Sequence, residues 1–295
     1  MSYHKCAEEG CPFKPISFTN YCWQHIPDKK TYLKKLWRNI EHSVAPVTLD
    51  KIVLEGYDLS GLDLRSASFI GAVLIDVDFS NSNLTNINLK RSLVQNCRFN
   101  NTKLIQSTLS GTIILDSTFF EVDLSLAEGN LLKVKNCRFE NLYIKSADLK
   151  NTYWRESTFN SAQISDSNFM MSYFDDITIE NSKLNNALFS GSQFYRSRLF
   201  LNDLLEVNFI GCLIDNDYFK DSLLKNCRFA TAILNNTIYE NCKFEKPIMR
   251  ETQVITSKFT RCKINAPVLQ RAIIVKSNLN PKKLVNADTE GLIVL

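Results

Sequence analysis

From Leu54 to Leu279 every fifth residue is large and apolar or aromatic, with Gly129 the one exception in 46 positions. An α-helix repeats at 3.6 residues and a strand at 2, so neither keeps a five-residue phase over such a length. A chain that bends once per repeat does. Two residues before each large one runs a series of small ones, Ala67, Ala72, Ser82, Ser92, Cys97 and Thr102 among them, as close approach of backbone requires. Two residues after it come turn formers such as Gly56, Gly61, Gly71, Asn81, Asn86 and Asn96. A longer period sets the number of sides: Phe79, Phe99, Phe119, Phe139 and Phe159 recur every twenty residues, beside Leu64, Leu84, Leu104 and Leu124. Four five-residue sides therefore make one turn.

Segments such as Ala147-Asp148-Leu149-Lys150-Asn151 resemble the A-(D/N)-L-x-x unit of the pentapeptide-repeat family, a resemblance that covers about three quarters of the chain. It implies an all-β solenoid, a right-handed quadrilateral β-helix with the large and small registers inward and the other three outward. We expect about 11 rungs, which at ~4.8 Å per rung make a rod roughly 55 Å long. Stacked rungs need covers at both ends. Asp28 suits a helix N-cap, and Leu33, Leu36, Trp37 and Ile40 give one apolar face to a helix over 29–42 that covers the first rung. The expected divisions are a zinc knuckle at 1–27, the capping helix and linker at 28–46, the β-helix at 47–284, and a C-terminal cap or tail at 285–295. Asn280-Pro281-Lys282-Lys283 breaks the repeat, and Leu292-Ile293-Val294-Leu295 can close the last rung or serve at an interface.

The first 27 residues differ in kind. Cys6, Cys11, Cys22 and His25 form C-x4-C-x10-C-x2-H around loop-forming Gly10, Pro12 and Pro15. Three thiolates and an imidazole make a closed tetrahedral zinc site, and so short a segment has little else to fold it. The segment resembles the small Cys/His knuckles at the ends of many bacterial and phage proteins. We expect one structural zinc ion, with His4 as the substitute ligand for His25. Four protein ligands leave no position for a substrate.

The other six cysteines, Cys97, Cys137, Cys212, Cys227, Cys242 and Cys262, fall in the small register and read as small hydrophobes in a reducing cytosol. No run of eighteen apolar residues occurs and the N-terminus lacks the order of a signal peptide. The expectation is a cytoplasmic protein without membrane contact. Catalysis finds no footing on the coil. His4, His25 and His42 all precede the repeats, no Gly-rich phosphate loop is present, and the acidic residues stand singly at outward registers. We therefore expect neither an enzyme nor a small-molecule substrate.

One outward column stands apart. The position before the large residue reads Leu93, Ile113, Tyr153, Tyr173, Leu213 and Ile233 on one side, interrupted by Lys133 and Gln193 and flanked by Ile75, Leu115, Tyr195, Ile255 and Val275. The equivalent column on the next side begins Asp58, Asp78, Arg98, Thr118. An apolar stripe on a rod is a candidate surface for a protein partner or a second copy; the competing reading is that such residues merely suit flat strands. Some pentapeptide-repeat proteins look like B-form DNA and protect type II topoisomerases. That mimicry needs an acidic rod, whereas the 28 basic and 26 acidic residues from Lys51 onward leave +2 of the chain's +4. Nucleic-acid binding through Lys29, Lys30, Lys34, Lys35 and Arg38 is a third reading, and Arg98, Arg138 and Arg198 on the rod share their side with Glu140 and Glu180. We further expect a bulge with raised mobility at Gly129, and backbone or water partners for the inward Asn202 and Asp217.

Overall fold

The computed structural model describes residues 5–42 and 46–295. The large register points inward along the whole repeat: Phe99, Phe119, Phe139 and Phe219 are all at most 2% exposed. With large side chains meeting in the middle and small ones at the corners, each five-residue side lies flat and the chain climbs one rung every twenty residues. Thirteen parallel strands, from Val53–Glu55 to Ile293–Val294, stack in register on the first face. The second face carries nine, Arg98–Asn100 to Lys258–Thr260, and the third seven, Tyr143–Lys145 to Lys263–Asn265. The fourth face is joined by single bridges, Thr48 to Ser68 and so on up to Asp288.

The bends sit where the sequence places them. Residues two after the large register take positive φ from Gly56 to Lys276, comfortably for Asn81 or Asn101 and against preference for Leu131, Met171 and Leu201, near 61°, 58° and 53°. Side-chain ladders twenty residues apart tie successive bends, as where Asn136 donates to Asp116 at 2.8 Å and Asn186 to Asp166 at 2.9 Å.

Aromatic rings fill the interior in columns. Phe79, Phe99, Phe119, Phe139 and Phe159 stack with centroids 4.6–5.1 Å apart, and Phe169, Phe189, Phe209 and Phe229 form a second ladder. At the small register several hydroxyls find partners one turn below, Ser82 donating to the Leu59 carbonyl at 2.7 Å and Thr102 to that of Phe79 at 2.9 Å, while Ser107 Oγ has none. Asn202 uses the same slot twice, accepting from the Ser182 N–H at 2.9 Å and donating to the Ile179 carbonyl at 2.8 Å. Asp217 accepts from the Ser197 N–H, but its second oxygen has no partner.

Gly129 does not bulge, contrary to expectation. Its N–H bonds the Asp148 carbonyl at 2.9 Å and the ladder from Thr108 through Glu128 to Asp148 is unbroken. The missing side chain is replaced by neighbours: Leu132 occupies a small-register position with 2% exposure, and a Cβ on Gly129 would stand 2.6 Å from Leu149. A cavity of about 20 Å³ lies in the rod's interior among Phe119, Leu132, Phe139 and Trp154.

The N-terminal cover has two layers. Helix α1, Lys29–Glu41, starts at Asp28, whose side chain accepts the Thr31 N–H at 3.0 Å. Leu33, Leu36 and Ile40 are buried on the first rung with Leu49 and Ile52, while Trp37 is half-buried, edge-on to Tyr57. Ile16, Trp23 and Ile26 join the same core. At the other end the winding resumes after the turn at Pro281–Lys283: Val285 bridges Asn265, Asp288 bridges Val268, and Ile293–Val294 pairs with Ile273–Val275. Thirteen stacked strands span twelve turns, against the expected 11 or so, because the coil continues past the proline. Among the described residues no helix is long and apolar enough to cross a membrane.

Candidate functional site

The Cys/His segment folds as two tight turns facing each other. Cys6 donates its N–H to Phe13 at 3.0 Å, the Cys11 N–H returns to Glu8 at 3.2 Å, and Ala7 bonds Asn20 at 2.8 Å. Gly10, at φ +75°, makes the first turn; the single helical turn Trp23–His25 brings the imidazole back over the thiols. The ligand atoms of Cys6, Cys11, Cys22 and His25 lie within 4.8 Å of one another. His25 Nδ1 stands 3.5 Å from Cys6 Sγ and 3.4 Å from Cys22 Sγ, and Cys11 Sγ is 3.8 Å from Cys22 Sγ. Metal–sulfur bonds of about 2.3 Å and metal–nitrogen bonds of about 2.0 Å predict tetrahedral edges of about 3.8 and 3.5 Å. The four residues therefore have the spacing that holds a metal ion. His4 lies outside the described residues.

The thiols are unequal. Burial would raise the Cys6 thiol, but the N–H groups of Cys22 and Glu8 and the His25 ring outweigh it and bring it down to about 6, whereas burial pushes that of Cys11 up. These three cysteines form a buried cluster of their own, with Phe13 and Tyr21 against it. The segment is nonetheless joined to the rod. Ser17 donates its N–H to the Thr48 carbonyl at 2.7 Å, Tyr32 Oη bonds the Ser17 carbonyl at 2.9 Å, and Lys51 Nζ stands 3.3 Å over the Phe13 ring.

The apolar column of the sequence is a physical column on the first face, with Leu93, Ile113, Lys133, Tyr153, Tyr173, Gln193, Leu213 and Ile233 in register. Ile113 and Tyr153 are 38% and 45% exposed, and the other four candidate residues are half-buried. Tyr173 stands between Tyr153 and Tyr195, with centroids 6.3 and 5.4 Å away. Beside these rings lies a buried carboxylate that sequence reasoning missed. Asp175 is 3% exposed and is clamped by Arg196 and, at 3.3 Å, by Arg155. Opposite charges twenty residues apart, Arg155 and Asp175, were the signal. On the second face Arg98 pairs with Asp78 at 2.9 Å, Arg138 with Glu140 at 3.0 Å and Arg198 with Asp176 at 3.3 Å, so its arginines are neutralised.

No curated protein matches the sequence. Among solved structures, HetL, a pentapeptide repeat protein involved in heterocyst differentiation regulation from the cyanobacterium Nostoc sp. strain PCC 7120, is 18% identical, covering 82% of this chain and 94% of its own, with a TM-score of 0.38. QnrB1, a plasmid-mediated fluoroquinolone resistance protein, is 15% identical over 83% of this chain and 91% of its own, with a TM-score of 0.32. A PL6 alginate lyase in complex with a trisaccharide is 9% identical over 90% of this chain and 82% of its own, with a TM-score of 0.38. The family model described as pentapeptide repeats matches residues 49–86 and 82–125 in eight copies. Residues 49–125 thus match the pentapeptide-repeat family, and the same register of inward large residues runs on from there, rung upon rung, to Leu279.

Proposed function

We propose that the protein is a non-catalytic scaffold whose first face docks another protein or a second copy, and whose N-terminal cover is held by one structural zinc ion at Cys6, Cys11, Cys22 and His25. One observation carries the docking reading: thirteen strands stack side by side, and the outward column they share is apolar or aromatic at ten positions. A flat strip of this kind is larger than scattered surface apolar residues and is normally buried against something. Three thiols and an imidazole, a mixed set of soft and borderline donors at tetrahedral spacing, suit zinc and leave no open coordination position. The six free thiols of the rod, five of them buried, suit a reducing, cytoplasmic setting.

The test is the double variant Tyr153→Glu with Ile113→Glu, compared with the wild type by sedimentation and by affinity capture from the native host. A complex formed by the wild type, of either kind, should vanish in the variant while the fold survives, because both side chains point away from the core. A wild type that is monomeric at micromolar concentration, together with a variant that keeps every captured protein, would overturn the docking reading.

A further inference from the structure

The first face carries one charge in its outward column. Of the thirteen stacked positions from Val53 to Ile293, only Lys133 is ionised; Gln193 and Gln253 are the other polar members. Lys133, in register between Ile113 and Tyr153, lines with them a shallow depression of about 730 Å³, walled also by Leu115 and, from the adjoining corner, Leu131. Leu131 is 52% exposed at a positive-φ bend, so this apolar wall stands out into solvent.

Two further cations edge the depression, and both are satisfied. Lys135 pairs with Glu156 at 3.4 Å, and Arg155 with Asp175 at 3.3 Å and Glu156 at 3.7 Å. Lys133 has no carboxylate partner among the described residues, and no acidic side chain lines the depression. An ammonium covered by an apolar contact loses its water, and leaving it unpaired makes that contact unfavourable. Whatever covers this face must bring a negative charge.

We propose that the depression takes an acidic, apolar segment of a partner protein, with one carboxylate on Lys133 and large apolar side chains against Ile113 and Tyr153. This rests on the reading that the first face docks a protein, and it selects among occupants. A second copy laid column to column cannot supply the charge. The column contains no acid at any of its thirteen positions, so with the two-fold axis across the rods Lys133 would meet an apolar residue, a glutamine or another Lys133, and with the axis along them it would meet Lys135 of its own rung.

The proposal is tested with a displayed library of short random peptides, selected in parallel on the whole wild-type protein and on Lys133→Glu. The wild type should enrich peptides with a carboxylate between large apolar residues, and Lys133→Glu should enrich peptides with Lys or Arg at the same place. The best wild-type peptide should bind Lys133→Gln about tenfold more weakly or worse and lose binding to Ile113→Glu with Tyr153→Glu. Selection of apolar peptides without an acid, with binding still lost in the double variant, overturns this proposal and keeps the docking reading. Peptides indifferent to the double variant, or none at all, overturn both. A wild-type dimer in sedimentation that Lys133→Glu or the double variant dissolves makes a second copy the occupant and overturns the acidic-partner proposal.

Discussion

The two ends of stability in this molecule sit side by side and are built in opposite ways. The Cys/His segment buries only Cys6, Cys11 and Cys22 in a cluster of its own. The rod has a single core that runs unbroken from Val47 to Leu279. One region gathers its cohesion at a point and the other spreads it over twelve turns, so each should fail in its own manner: the first all at once, the second rung by rung. What couples them is the cover. Ile16, Trp23 and Ile26 reach from the Cys/His segment into the core that helix α1 also closes.

Removing the metal should break the comparison most visibly. Structural zinc contributes on the order of 10 kcal/mol to folding of small Cys/His domains, far beyond what three buried cysteines supply. Purified protein should contain close to one zinc equivalent, and Cys22→Ser or chelation should melt residues before Asp28 while the rod's strand signal persists. Elemental analysis without zinc, or a rod that unfolds with the segment, would sink this. Within the rod, Phe119→Ala opens the middle of the stacked phenyl column and should cost ~3–5 kcal/mol. Asp123→Ala beside it should cost ~0.5–1 kcal/mol, since Asp123 is half-buried and accepts the Ser125 N–H at 2.8 Å. Equal denaturation midpoints would contradict the inward assignment.

A smaller and pH-dependent effect comes from Asp217. Burial pushes its carboxyl up to about 8, so the folded rod keeps a proton that the unfolded chain gives up near pH 4. Stability at this site is full below about pH 4 and declines as pH climbs to about 8. Asp217→Asn should remove that slope and stabilise the rod at pH 8 by on the order of 1–3 kcal/mol, because an amide can donate as well as accept, as Asn202 does in the equivalent slot. Melting curves at pH 5 and pH 8 decide it; a variant with the wild-type slope refutes it. Least of all, Tyr153→Glu with Ile113→Glu should change rod stability by within about 1 kcal/mol. A large loss there would mean these side chains belong to the fold and not to a contact.

The core was legible because one large inward residue in five leaves no freedom of phase, and the cluster of Cys6, Cys11, Cys22 and His25 was legible because thiols crowd before the repeat begins. The choice between strand and bridge on each side was not. Asp or Asn before the large residue caps the N–H two residues on, as Asp58 does for Ser60 and Asn168 for Met170, and such sides are joined by single bridges. Yet Asp203 lies in a strand between the strands of Lys183 and Leu223, while Leu188 makes only a bridge between Asn168 and Asn208. In stacked rungs a side copies the conformation of its neighbours, so its own residue is outvoted. Gly129 failed as a signal for a related reason: the compensation lies in the size and packing of its neighbours, Leu132 at a small-register position and Leu149 one turn on, not in the glycine itself.

The buried thiols give the rod a chemical clock. Burial lifts Cys97 to about 11 and Cys137, Cys212 and Cys227 to about 12, so at pH 8 on the order of one thiol in a thousand or fewer is ionised and open to alkylation. Cys262 differs: it is half-buried on the last rung of the third face, and a hydrogen bond from the Cys242 thiol draws it downward. Among the thiols of the rod, timed alkylation read by mass spectrometry would thus mark Cys262 first and the inner ones only as their own rungs part, recording in one experiment the order in which the coil unwinds.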